Sequence, residues 1–184
     1  MRYQLKNCRN GETAIYNTTV EIKEEKGMLT FFFTAENTTC FCPCSGYNAI
    51  HSRGDAFEIL IGSHPERKEY YEIEVSPKNE LMIAKMVYGG EDASNDNEPI
   101  LDMTLIDDCF VDSKVTITEN GYNAELRFKK DKVKTGDGEF FFNAYRLETD
   151  GEYKSKHLFA LNPTMRGRFH VPKYYVALKD YVNK

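Results

Sequence analysis

Tryptophan is absent from this 184-residue chain, so any flat aromatic platform must come from its twelve tyrosines, its twelve phenylalanines or a histidine. Prolines number only six, and no Pro/Gly/Ser-rich stretch serves as a linker. That disfavours two small domains and leaves one β-sandwich-sized domain spanning residues 1–184. Long apolar runs are missing too. The longest, Leu29-Thr30-Phe31-Phe32-Phe33, has the length of a buried strand, well short of the roughly 18–20 residues of a membrane span. No basic cluster breaks the formal net charge of −5, so neither nucleic acid nor an anionic membrane is an expected partner. The N-terminal Met1-Arg2-Tyr3-Gln4-Leu5-Lys6 lacks the apolar stretch of a signal peptide, which favours the cytoplasm.

Cysteine is too sparse and too oddly placed for a disulfide framework. There are five, and three crowd into Cys40-Phe41-Cys42-Pro43-Cys44. Residues two apart along a strand do not pair without distortion, so reduced thiols are expected. Cys40, Cys42, Cys44 and His51 form a chemically legitimate zinc set. Their one-residue gaps and the intervening proline depart from zinc spacing, and small buried thiols are the plainer reading. Cys44 with His51 or His170 can be drawn as nucleophile and base, but nothing supplies an orienting third group. No matched Met/His pair marks a haem site. The chain is therefore expected to be non-catalytic and to hold no cofactor.

What is present is alternation with a period of two. Thr18–Lys26 places Val20 and Ile22 opposite Glu21 and Lys23, and an apolar strand, Met28–Glu36, follows a turn at Lys26-Gly27. Further strands are expected at 55–62, 69–76, 80–88, 101–106, 110–118, 122–129, 138–147 and 156–161, with a last one at 174–178. Gly89–Pro99 is polar and turn-rich and reads as a mobile loop. Asn120-Gly121 between two alternating runs is the strongest hairpin signal. No window carries a long helical period. The fold class is all-β: a two-sheet antiparallel β-sandwich of jelly-roll or immunoglobulin-like type with little helix.

Several motifs then occur in a telling order. Asp55-Ala-Phe-Glu-Ile-Leu-Ile61 precedes Tyr70-Tyr-Glu-Ile-Glu-Val-Ser-Pro77. Gly121-Tyr-Asn-Ala-Glu125, Phe141-Phe-Asn-Ala-Tyr-Arg146, Ala160-Leu-Asn-Pro-Thr164 and Phe169-His-Val-Pro172 follow. From about Ile15 to Asp180 the chain resembles the family 9 carbohydrate-binding modules, part of a wider group of sandwiches that includes the DOMON domains. No single motif is specific; the ordered set is specific for the fold.

The resemblance implies a sandwich that holds sugar ends between two aromatic rings, with polar side chains orienting the hydroxyls. A pyranose has apolar C–H faces that lie well on a ring, and its hydroxyls need partners on leaving water. The family's first stacking Trp falls on Ser52; Tyr47 or His51, in the same loop, could replace it. The second stacking position falls on Phe169. The acid that bonds sugar hydroxyls falls on Glu58, and polar residues of the next strand fall near Glu72 and Glu74. The family also implies structural calcium, for which no ligands are placed.

Each candidate has a plainer reading. Glu58 either faces solvent or lines a concave face. Asp55 reads as an anchor for loop amides. Phe169 either packs in the core or stacks on sugar, and His170 reads as a donor to a backbone carbonyl. Arg146 either pairs with an inward carboxylate such as Glu125 or donates to the sugar. The leading function is sugar binding by Glu58, Phe169, Arg146, Tyr47 and His51. The alternative is a sandwich that has lost the sugar and serves protein contacts or another small ligand.

Overall fold

Lys26 and Gly27 both adopt positive φ (50° and 77°), the twist a two-residue hairpin turn requires. Around them the alternating segments pair as anticipated. The computed structural model describes residues 1–36, 38–49, 54–89, 101–152 and 156–183. The expected loop Gly89–Pro99 lies almost wholly outside the described residues. In chain order the strands are β1 (Arg2–Gln4), β2 (Lys6–Asn7), β3 (Thr18–Glu25), β4 (Met28–Glu36), β5 (Ala56–Gly62), β6 (Glu69–Val75) and β7 (Leu81–Tyr88). They continue as β8 (Leu101–Leu105), β9 (Asp112–Thr118), β10 (Gly121–Lys129), β11 (Phe141–Glu148), β12 (His157–Ala160), β13 (Val176–Ala177) and β14 (Val182–Asn183). Among the described residues helix is limited to three single 3₁₀ turns, and no helix is long and apolar enough to cross a membrane.

Two sheets form the sandwich. The smaller runs β1-β3-β4-β10-β9, and the larger runs β2-β12-β11-β5-β6-β7-β8 with β13 beside β11. Pairing is antiparallel with one exception: β14 lies parallel to β3, with Val182 opposite Ile22. Strands β1, β2 and β14 are too short for periodicity to mark them, and none was expected.

The facing sides of the sheets meet in a core that includes Ile22, Phe31 and Phe33 from one and Phe57, Ile59 and Ile73 from the other. Phe33 stacks on Phe57 with ring centres 4.5 Å apart, within the range that favours aromatic pairs beyond area burial. Asp55 anchors the loop before β5, as expected. One carboxylate oxygen accepts the Phe41 N–H, and the other accepts the Thr149 N–H and hydroxyl.

The Asn-Gly hairpin forms one residue earlier than expected. Gly121 already pairs with Thr118 inside the ladder, so Glu119 and Asn120 make the turn. The glycine is there for closeness: a Cβ on it would lie 2.0 Å from the Ala35 carbonyl oxygen.

The larger sheet departs from a simple sandwich. Every residue of β5 and of β11 is buried, although alternation sends half of them away from the core. The outer face of this sheet therefore carries a second apolar cluster, which includes Leu60, Tyr70, Met82, Met86 and Tyr145. A strap formed by residues 161–175 lies over it.

Candidate functional site

The outer face of the larger sheet reads as ordered rows, because strand register lines up residues across neighbouring strands. One row runs Tyr145, Glu58, Glu74, Met82 across β11, β5, β6 and β7. The next runs Asn143, Leu60, Glu72, Ala84. Three carboxylates thus stand in the middle of a face whose other members in these rows are aromatic and aliphatic groups and the amide of Asn143. Glu58 is only 2% exposed and Glu74 only 4%. Oε1 of Glu58 and Oε2 of Glu74 have no hydrogen-bond partner.

Burial pushes the Glu58 carboxyl well above the usual carboxylate range, and the neighbouring charges of Glu72 and Glu74 push it further. Glu74 is raised for the same first reason, with Glu72 adding to it. Desolvation disfavours the charged form, and a like charge nearby does the same. This face is therefore short of positive charge and of hydrogen-bond donors, both of which a ligand can bring.

The strap is pinned at Phe169 and His170. The Phe169 ring stacks on Tyr145 with centres 4.1 Å apart. Its carbonyl accepts the hydroxyls of Tyr145 at 3.0 Å and Tyr175 at 3.5 Å. Cys8 secures the strap from the N-terminal side through a contact with the Thr164 hydroxyl. His170 then projects over β6. Its Nδ1 lies 3.0 Å from the Tyr70 hydroxyl, and its Nε2 lies 3.4 Å from Oε1 of Glu72. One ligand atom each from Glu58, Glu72 and His170 falls within 4.8 Å of the others. The His170 side chain is 21% exposed, which makes it the rim of the cluster.

The expected site residues are only partly brought together. Glu58 and Phe169 share this face. Phe169 is 6% exposed with one ring face against Tyr145, so its surroundings are those of a core residue. Arg146 follows Tyr145 in β11, and alternation sends it to the opposite side, between the sheets. It is fully buried there and bonded to Glu148, the Thr18 hydroxyl and the Glu36 carbonyl. The sugar-donor role and the Glu125 pairing are both corrected by this placement. Tyr47 is 38% exposed and donates to the Ile106 carbonyl at the β7–β8 side of the sheet. Phe169 has Tyr145, not Tyr47, as its ring partner. His51 and Ser52 lie outside the described residues.

His170 corrects another expectation, since it meets a tyrosine and a carboxylate rather than a backbone carbonyl. Tyr145 and Tyr70 were not singled out at all. The signal was available, because Tyr145 keeps step with Glu58 once β5 and β11 are paired in register.

Cys40, Cys42 and Cys44 are free thiols. Among the described residues the only group that brings three His, Cys, Asp or Glu ligand atoms together is Glu58, Glu72 and His170. Calcium takes six to eight oxygen ligands. A set of two carboxylates and an imidazole does not fit it.

A Bacteroides uniformis protein assigned to carbohydrate binding superposes with a TM-score of 0.71 at 12% identity, over 95% of this chain and 84% of that one. A family 9 carbohydrate-binding module of Caldicellulosiruptor kristjanssonii in complex with cellotriose gives 0.58 at 12% identity, over 95% and 79%. A family 9 module of that organism in complex with glucose gives 0.55 at 12% identity, over 95% and 82%. The chain has the fold of the family 9 carbohydrate-binding modules. At this identity the likeness is one of fold alone. No protein-family model and no curated protein matches the sequence.

Proposed function

We propose that this chain is a non-catalytic carbohydrate-binding module, with its site on the outer face of the larger sheet between β5, β6 and the strap at Phe169–His170. The observation that carries the reading is the placement of Glu58. It is a buried carboxylate with an unpartnered oxygen, set among aromatic rings on a fold whose solved relatives include sugar complexes. Sugar hydroxyls would supply the donors that Oε1 of Glu58 and Oε2 of Glu74 lack. Tyr70 and Tyr145 are fully buried under the strap, with Tyr145 against Phe169, so their rings would meet the C–H faces of a sugar only where the strap gives way. A few exchanged hydrogen bonds and one or two ring contacts leave modest net free energy, so weak binding is expected.

Titration calorimetry with glucose and cellotriose tests this. Millimolar or tighter binding that weakens at least tenfold in Glu58→Gln supports it. No binding of either sugar, or binding indifferent to Glu58→Gln, sinks it.

A second reading is favoured by one observation. Tyr145 covers a face of the Phe169 ring, so that ring is already spent on packing. A sandwich that has closed its sugar slot and serves protein contacts or another small ligand would look this way. Failure of both sugars would shift the function to that reading.

A further inference from the structure

We infer that Glu58, Glu72 and His170 form a binding site for one divalent cation of the zinc–cobalt–manganese class. The site goes beyond sugar recognition and does not depend on it.

Donors sharing one tetrahedral ion at about 2.1 Å stand about 3.4 Å apart. His170 Nε2 and Glu72 Oε1 are 3.4 Å apart, and the Glu58 oxygen completes a triangle whose atoms all lie within 4.8 Å.

Independently of those distances, hydrogen-bond partners are missing. Oε1 of Glu58 is buried without a hydrogen bond, and so is Oε2 of the neighbouring Glu74. Buried polar atoms are normally hydrogen-bonded, and an ion is one partner that would satisfy them.

Tyr70 engages Nδ1 of His170, an outer-shell contact of the kind that fixes a metal-binding histidine. With the ring proton on Nδ1, donated to the Tyr70 oxygen, Nε2 presents a lone pair beside the Glu72 carboxylate and is free to act as a ligand atom. A cation bound between Nε2 and the Glu72 oxygen would select that tautomer. An imidazole ligand selects transition-type ions over calcium or magnesium. Three protein ligands leave a further position for water or a ligand hydroxyl on the exposed side of His170.

The test uses Co2+ as the probe, with no sugar present, on the intact chain. The expected result is uptake of one Co2+ per chain, displaceable by Zn2+, with a d–d spectrum free of thiolate charge transfer. Affinity should fall at least tenfold in each of Glu58→Gln, Glu72→Gln and His170→Gln, and stay unchanged when Cys40, Cys42 and Cys44 are all replaced by Ser. Should a variant fail to fold, the unaltered protein still decides the matter. Of its four histidines, His170 should show the largest paramagnetic shift. No uptake, a thiolate charge-transfer band, affinity retained in the folded variants, or a His170 signal untouched by Co2+ would each overturn the site. Because the assay contains no sugar, its failure leaves the carbohydrate reading standing, and the converse holds.

Discussion

Glu58 and Glu74 stand directly opposite each other on β5 and β6, on the side of the sheet turned away from the sandwich core. Like charges in register repel, and burial raises both carboxyls. A fold does not gain stability from such a pair; a ligand site does gain acceptors. Stability and binding should therefore part company here. Glu58→Gln keeps the shape and lets an amide donate to Glu72. It should raise stability by about 1 kcal/mol while weakening sugar binding, as read by thermal denaturation and calorimetry on the same samples. A variant both less stable and equally able to bind would contradict this.

Phe169 joins packing to recognition. Truncation to Ala removes a buried ring from Tyr145 and should cost about 3 kcal/mol. It should also loosen His170, which is held next to it. Phe169→Leu keeps most of the apolar volume, so stability should fall by less than half as much. Urea denaturation of both variants measures the difference.

Arg146 belongs to the core and not to the site. Its pair with Glu148 is 2.6 Å long and inaccessible to water, and the guanidinium also lies over the Tyr16 and Phe159 rings. Removing one partner of a buried pair leaves an uncompensated charge. Arg146→Ala should cost about 3–5 kcal/mol, and the folded fraction should bind sugar as the parent does. A loss of affinity without loss of stability would return Arg146 to the site.

Asp150 gives the fold an acid-sensitive contact. Burial alone would raise its carboxyl, but hydrogen bonds with His157 and from Tyr16 outweigh this and hold it below the usual range. A depressed folded-state pKa stabilises above the unfolded value near 4 and loses that contribution as pH falls through the folded value. Stability should decline below about pH 4, less steeply in Asp150→Asn. Denaturation midpoints between pH 5 and pH 2.5 provide the comparison.

Alternation made the strands legible because sheet period is local. Lys26-Gly27 and the β3–β4 pair follow directly from it. Gly121 was legible as a hairpin marker, but for the wrong reason. Its role is the close approach of the Ala35 carbonyl, and Gly121→Ala should cost about 1–3 kcal/mol by forcing β4 and β10 apart. Alternation also places Tyr145 and Arg146 on opposite faces. It does not say that both faces are covered, because the cover over Tyr145 comes from the strap. The contact between Tyr70 and His170 joins residues a hundred positions apart, and no local pattern announces it. Glu58 was legible only through family resemblance, since its own neighbours, Phe57 and Ile59, fit an ordinary surface strand equally well.

The central claim is that the outer face of the larger sheet receives the sugar. The most direct measurement is an amide NMR titration of the isotope-labelled protein with cellotriose. The account predicts shifts concentrated in β5, β6 and the strap around Phe169–His170, strongest near Glu58 and Glu72. Shifts confined to the smaller sheet, or no shifts at millimolar sugar, would contradict it.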